Sequence, residues 1–328
     1  MAPEFNDEWR PTASLETLRR RAQLLDRARD FFARRGVLEV ETPILSAAGT
    51  TDPNLHSFAA RSLAPADDPA PRYLHTSPEF AMKRLLAAGS GSIYQICKAF
   101  RAGERGRRHN PEFTMIEWYR VGFDQHELMD EVAALVTKLL EGTRTLDSTE
   151  KLSYREAFMR YAGTDPHTAT AVELRRVTEN HGVRAQGVPA DDADGWRDLA
   201  LSHLVEPHLG RDRLTFLYDY PASAAALARV RAGDPPLAER FELYLDGMEL
   251  ANGFRELADA GEQLRRFERD IDRRGGTATP RTDERLLAAL AHGLPDCSGV
   301  ALGFDRVVML AVRAQHISEV VAFPEPRA

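Results

Sequence analysis

Cysteine is scarce: Cys97 and Cys297 lie far apart and outside any CxxC pair. That spacing excludes a disulfide framework and a cysteine-rich zinc site, and it fits a reducing cytoplasm. No run of membrane length is free of charge, and the N-terminus, MAPEFNDEWRPTAS, carries acids where a secretory leader would be apolar. Neither membrane insertion nor secretion is expected. The ten histidines form no HExxH pair, so His203 and His208 read as ordinary helix-end residues. There is no GxSxG start, and the glycines of GVALGFDR are spaced wrongly for GxGxxG, which removes a serine triad and a dinucleotide fingerprint. Basic excess is also missing: 43 Lys and Arg stand against 50 Asp and Glu, a formal charge of −7. A protein-wide nucleic-acid surface is excluded, while a local basic pocket is not.

What is present is an ordinary globular composition, 43% hydrophobic and 28% charged over 328 residues, with no internal repeat or low-complexity tail. Apolar positions Leu15, Leu18, Ala22, Leu25, Ala28, Phe31 and Phe32 predict a helix over 14–35, with Gly36 as a stop. The segment 37–45, VLEVETPIL, reads as an edge strand tolerant of Pro43. An Ala/Pro/Asp-rich loop is expected over 62–72, then a short strand, a Ser-Pro-Glu start and a helix ending near Gly89. SIYQICKAF and FTMIEWYRVGF predict an antiparallel hairpin with a long polar tip. Helices follow at 125–140 and, more weakly, at 172–180 and 194–209. Strands return at LTFLYDYP and RFELYLDGMELANGF, helices at 262–274 and 283–291 around a flexible GGTATPR, and GVALGFDRVVMLAV reads as a strand turning into a helix. Without regular βαβ alternation this is an α+β chain built on a mainly antiparallel sheet, rather than a doubly wound one.

Three stretches carry chemistry. In FRAGERGRRHNPEF, Arg101, Arg105, Arg107 and Arg108 gather around Gly103 and Gly106. Guanidinium groups hold phosphates with paired donors and absorb charge developing at phosphorus, as carboxylate attack on the α-phosphate of ATP requires. Arg101 is the first choice for that phosphate, with Arg107 or His109 for the outer ones and Phe113 for the adenine; a solvated hairpin tip is the competing reading. In FELYLDGMELANGFREL, Glu242 and Glu249 are an odd number apart, and the Asp246-Gly247 pair can restore their convergence as a turn or bulge. Such acids suit Mg²⁺, against a surface-acid role for Glu242. Asn252 and Gly253 allow close polar contact with a ligand. Glu79, Glu117 and Glu256 are candidates for an ammonium, against salt bridging to the many arginines. Trp118 and Tyr119 could wall a pocket or pack a core. Ser77 is placed to hydrogen-bond rather than to act as a nucleophile. In GVALGFDR, Gly299 and Gly303 precede Arg306, read either as a phosphate ligand opposite Arg101 or as a surface residue on a capped helix.

Taken together, these motifs resemble the signatures of class II aminoacyl-tRNA synthetases of the lysyl type. Over nearly the whole chain from about Ser14, they are similar to the elongation factor P lysine ligases, truncated paralogues of the lysyl enzyme. VLEVETPIL resembles motif 1, FR…RRHNPEFTMIEWY motif 2 and GVALGFDR motif 3. The resemblance implies a homodimer with motif 1 at the interface. It implies an ATP set of Arg101, Ala102, Gly103, His109, Asn110, Phe113, Glu249, Leu250, Gly303 and Arg306, of which Arg101, Glu249 and Arg306 would be catalytic. Ser77, Pro78, Glu79, Glu117, Tyr119, Asn252, Glu256 and Ala301 form the implied substrate set, and Glu242 with Glu249 the magnesium pair.

Two departures from the lysyl-tRNA synthetase pattern stand out. Ala102 and Gly103 replace an Asn and a Glu after the first motif 2 arginine, leaving Glu104 as a substitute acid, and Ala301 replaces a glycine. An added methyl in a close-packed site favours an isomer with a displaced amine, hence (R)-β-lysine over α-lysine. The expected organisation is a short extension over 1–13 and a catalytic domain over 14–328 with a helical insertion near 125–210. No anticodon-binding domain is expected, since about a dozen residues cannot build a five-stranded barrel. The implied acceptor is therefore the ε-amine of a lysine on elongation factor P rather than tRNA. Alternatives are a stand-alone enzyme charging tRNA and a silent regulator that binds ATP or an amino acid.

Overall fold

The computed structural model describes residues 9–62, 70–146, 148–184, 187–274 and 281–328. Most of the loop expected over 62–72, nearly all of GGTATPR and the first eight residues of the N-terminal extension lie outside these. Ser14 accepts from the Thr17 N–H and starts α1 (Leu15–Ala33), whose Leu24, Ala28, Phe31 and Phe32 are buried, and Gly36 then turns the chain with φ +65°.

The strand expected over 37–45 is broken in two. β1 (Leu38–Glu39) pairs parallel with β5 (Ile93–Phe100) at the edge of the large sheet, while β2 (Leu45–Ser46) joins a small sheet with β3 (Ala59–Ala60) and β4 (Arg72–Leu74). Pro43 lies in the break, where the missing N–H interrupts no ladder, and Thr42 instead donates its hydroxyl to the Gln95 side chain. Pro78 begins α2 (Glu79–Ala87). The expected hairpin forms from β5 and β6 (Glu112–Val121), in register from Ile93 opposite Tyr119 to Phe100 opposite Glu112.

Within the stretch 125–210, α3 (Gln125–Leu140) begins on a capping box of Asp124 and Glu127 and packs into the main core. β7 (Thr149–Ser153) joins the large sheet parallel to β8 (Leu214–Pro221). α4 (Tyr154–Tyr161) is a helix that the apolar pattern did not predict, although Ser153 and Glu156 form a capping box there. α5 (Ala171–Asn180) agrees with expectation. The single helix expected over 194–209 instead becomes α6 (Ala193–Ala200), one π turn over Leu201–Val205 and a 3₁₀ turn over Glu206–His208. Pro207 cannot donate to a continuing α-helical ladder.

β9 (Val230–Arg231), β10 (Leu237–Leu245) and β11 (Met248–Arg255) follow, then α7 (Ala260–Arg274), α8 (Glu284–His292), β12 (Cys297–Gly303) and α9 (Phe304–Val312). The nine-stranded sheet runs β1-β5-β6-β12-β11-β10-β8-β7, with β9 on β10, and only its two ends are parallel pairs. α1, α3 and α9 bury Ile116, Trp118, Phe241, Leu243, Val300 and Leu302 on one face. Side chains alternate along a strand, so the intervening residues Glu117, Tyr119, Glu242, Asn252 and Ala301 point to the other. That second face is flanked by two smaller cores. One, around α4 to α6, includes Tyr154, Trp196 and Tyr244; the other, around α2, α7 and α8, includes Met82, Tyr119 and Phe267. No helix among the described residues is long and apolar enough to cross a membrane.

Candidate active site

Between the two smaller cores, cross-strand register sets the site residues side by side. Ala301 lies opposite Glu117 on one neighbour and Asn252 on the other, and Asn252 in turn lies opposite Glu242. The convergence of Glu242 and Glu249 comes from a shift of register between Leu243 and Tyr244, which sets Glu249 opposite Tyr244 on the same face. Asp246 and Gly247, both with positive φ, make the tight turn between the strands. Of the two alternatives expected at Asp246-Gly247 the pair is the turn, and the irregularity that restores convergence lies beside it, between Leu243 and Tyr244, rather than at the pair itself.

One end of this face is a pocket of acids. Ser77 Oγ donates to Glu117 Oε2 at 2.7 Å and Tyr119 Oη donates to Glu117 Oε1 at 2.7 Å, while Glu117 is almost fully buried. Burial, with the charges of Glu79 and Glu256, pushes Glu117 up to about 8 against those two hydrogen bonds. Burial likewise raises Glu256, which Lys83 pulls down and Glu79 pushes up again. Lys83, which sequence reasoning passed over, lies 2.6 Å from both Glu79 Oε1 and Glu256 Oε2. Its only advance signal is its spacing four residues after Glu79 on a helix. Trp118 points away from the pocket into the core and donates to Glu131, whereas Tyr119 walls the pocket. Gly299 closes it: a Cβ there would stand 2.3 Å from the Tyr119 ring and 2.5 Å from Glu256 Oε1.

The other end is cationic. Arg101 sits over the Phe113 ring, with 5.1 Å from Cζ to centroid, and its Nε is buried without a hydrogen-bond partner. Glu104 lies beside it, 3.6 Å from Nη1. Ala102 is held by the carbonyl of His56 at 2.7 Å, and Gly103 takes φ +84°, which suits glycine. Arg306 donates to the Glu249 carbonyl at 2.6 Å and contacts Glu249 Oε2 at 3.4 Å. Its other nitrogen meets His109 Nε2 at 2.7 Å, and burial together with Arg306 lowers the His109 pKa, so the imidazole stays neutral and accepts. Leu250 is buried beneath this group, and a Cβ on Gly303 would meet the Arg306 side chain at 3.5 Å and the Leu250 carbonyl at 3.8 Å, both ordinary contacts.

Three predicted residues are engaged elsewhere. Arg107 binds the carbonyl and side chain of Gln315, and Arg105 pairs with Glu325, so neither joins the cluster. Asn110 spends its amide on the Glu112 carbonyl and accepts from the Glu325 N–H, fixing the hairpin tip to the C-terminal segment. Arg108 instead donates to the Gly247 carbonyl, tying motif 2 to the β10–β11 turn.

Between the two ends lie the acids proposed for metal. Glu242 is bound by Arg240 at 2.6 Å, Tyr244 at 2.5 Å and Asn252 at 3.3 Å. Glu249 is half-buried, and its pKa is raised first by burial and then by Glu242, against the pull of Arg306. Glu206, delivered by the π and 3₁₀ turns after α6, is pushed up to about 7 by burial, Glu242 and Glu249, and sequence reasoning did not find it because a π turn leaves no periodic signature. Among the described residues no group of three or more His, Cys, Asp or Glu is arranged to hold a metal. Two carboxylates would suit magnesium rather than a protein-caged ion, with substrate phosphates and water needed to complete its shell.

Comparisons with known proteins identify the family. The family model described as tRNA synthetases class II (D, K and N) matches residues 7–327. A protein named "Elongation factor P--(R)-beta-lysine ligase" from Pectobacterium carotovorum subsp. carotovorum (strain PC1) is 49% identical over 323 residues, 98% of each chain. Its namesake from Vibrio cholerae serotype O1 is 50% identical over 327 residues, 98% of this chain and 99% of the relative. Another from Yersinia enterocolitica serotype O:8 is 50% identical over 323 residues, 98% of each. With its mainly antiparallel sheet and these matches, the chain belongs to the class II tRNA synthetase (D, K and N) family and, within it, to the elongation factor P-(R)-β-lysine ligases.

Proposed function

We propose that the protein uses ATP to activate (R)-β-lysine as its adenylate and transfers the β-lysyl group to the ε-amine of a lysine on elongation factor P. The observation that carries this reading is the single sheet face joining a buried acid pocket to a cationic end, where Arg101 keeps a buried Nε without a partner and Arg306 lies against Glu249, so that one amino acid can hold its amines in the first and its carboxylate near the second. The names of relatives matched at half identity over nearly their full length support it. Neither the tRNA-charging nor the silent-regulator alternative has a specific observation in its favour.

In the first step a substrate carboxylate oxygen bonds to the α-phosphorus and the bond to the β-phosphate oxygen breaks, releasing pyrophosphate. Arg101 and Arg306 are proposed to hold the phosphates and stabilise the developing charge, and Phe113 to face the adenine. Glu242 and Glu249 are proposed to hold magnesium, which supplies charge neutralisation and orientation at the phosphates. Ser77 and Tyr119 hold the Glu117 carboxyl in place, and Glu79, Glu117 and Glu256 receive the ammonium groups. In the second step the neutral ε-amine of the acceptor attacks the activated carbonyl, AMP leaves and the amine gives up a proton. The work is mainly positioning.

A cytoplasmic homodimer completes the proposal. Leu38, Ile44, Leu45, Phe58 and Phe323 are exposed apolar residues, three of them in the motif 1 segment, and they suit a second copy of the chain. ATP–pyrophosphate exchange across α-lysine, (R)-β-lysine and other amino acids tests the activation step. Exchange dependent on (R)-β-lysine is expected, and exchange with none of them, or indifferent to the added amino acid, would overturn it.

A further inference from the structure

Within the acid pocket, the mechanism above leaves Lys83 without a role. Lys83 is 1% exposed, the most deeply buried cation of the pocket, and its ammonium bridges Glu79 on its own helix and Glu256 beyond β11. Burial alone would lower its pKa, yet Glu256 and Glu79 outweigh burial and hold it above the ordinary lysine value, so it is a fixed cation and not a nucleophile. The titratable groups facing it or its partners are Glu79, Glu117 and Tyr119, with Cys97 on β5 and Cys297 on β12, both thiols being raised by burial and neutral. A buried ion pair is poor value as a stabiliser, since an apolar residue of similar volume does as well. Its presence here calls for another explanation.

Charge counting provides one. Three carboxylates against one resident ammonium leave an excess of two negative charges when all four groups are ionised. Three uncompensated carboxylates in so buried a site would hold protons instead and lose their grip on an ammonium. We propose that Lys83 is a positioning residue that acts as a built-in counter-ion, drawing Glu79 and Glu256 together and offsetting negative charge in the pocket so that it accepts two substrate ammonium groups. By its reach across α2 and the end of β11 it also fixes the distance between those two acids. This inference rests on the diamino-acid substrate proposed above and adds a specificity-determining role for a residue outside the expected substrate set.

The test compares Lys83→Met and Lys83→Gln, which lose the charge, with Lys83→Arg, which keeps it, in pyrophosphate exchange by the full-length protein. The neutral variants should raise KM for (R)-β-lysine about tenfold or more while KM for ATP stays within about twofold, and Lys83→Arg should recover most of the loss. Lys83→Gln keeps a polar head and serves if the Met variant fails to fold. n-Propylammonium should restore exchange to Lys83→Ala, whereas n-propanol should not. An equal loss in the charged and neutral variants, or an unchanged KM in all, would overturn the counter-ion role. Failure of the wild-type protein to exchange with (R)-β-lysine would overturn the substrate reading instead. The counter-ion role is also read from ¹³C carboxyl titration of the ligand-free protein: the Glu256 midpoint should lie higher in Lys83→Gln than in the wild type, and an unmoved midpoint would overturn it.

Discussion

At the scale of single residues, the site works by giving similar groups different surroundings. Glu117 is a carboxyl displaced to about 8 by burial and neighbouring acids, so at neutral pH the free pocket holds a proton that an incoming ammonium must expel. Calorimetric titration with (R)-β-lysine in buffers of differing ionisation enthalpy should therefore show roughly one proton released at pH 7, falling away above about pH 8, and binding without proton release would contradict the displaced carboxyl. Arg101 keeps a buried Nε unpartnered, as expected of a group awaiting an anion. Arg101→Ala should lower kcat/KM for pyrophosphate exchange by about a hundredfold or more with every amino acid, and near-normal exchange would reject the phosphate role. Ala301 stands between Glu117 and Asn252, where one methyl narrows the pocket. Ala301→Gly should shift the ratio of exchange rates toward α-lysine by about tenfold, and an unchanged ratio would count against steric selection. Much of the site could be read from residue types in order: cations near glycines, acids near a turn, small residues before Arg306. Lys83 and Glu206 could not, because the first looks like any helix surface lysine and the second depends on a turn with no period of its own.

At the scale of elements, long-range ties hold the motifs in register. The Arg274 side chain, at the end of α7, donates to the carbonyls of Thr50, Asp52 and Leu55 and meets His56 Nδ1, and the His56 carbonyl in turn accepts from the Ala102 N–H. A helix remote in sequence thus fixes the loop that braces motif 2. Arg274→Ala should speed amide exchange over 50–56 and 101–104 by roughly tenfold or more with little change in β12, and unchanged exchange would contradict this bracing. The β10–β11 turn is a second such tie, since its Gly247 carbonyl receives Arg108 while Gly247 itself has φ +62°. Helices with clear stripes and caps, such as α1 and α3, were legible in the sequence because periodicity and burial coincide there. The 37–45 strand was not: alternation persisted across Pro43, but the chain leaves one sheet for another at that point, a tertiary choice that local pattern does not record. α4 went unpredicted because its 8 residues are too few for a helical period to show, and only its capping box marked it.

At the scale of the whole molecule, one sheet separates two tasks. Its covered face packs α1, α3 and α9 into the largest core, and its open face carries the proposed site between two smaller cores. The exposed apolar residues of the motif 1 region are the surface proposed to meet a second copy of the chain. Replacing Leu38 and Leu45 together by Asp should convert the protein to a monomer in sedimentation, and an unchanged sedimentation coefficient would place the contact elsewhere. The resemblance visible in the motifs anticipated the fold class and the family, which the family match and the relatives bear out. The choice of acceptor belongs to the docked pair of proteins, and no residue pattern within one chain specifies it. The most direct measurement is the intact mass of unmodified elongation factor P after incubation with the protein, ATP, Mg²⁺ and (R)-β-lysine, with tRNA charging followed in parallel. A single β-lysyl addition to the factor, without comparable charging of tRNA, is the predicted result; adenylate formation with transfer to tRNA and none to the factor would contradict it.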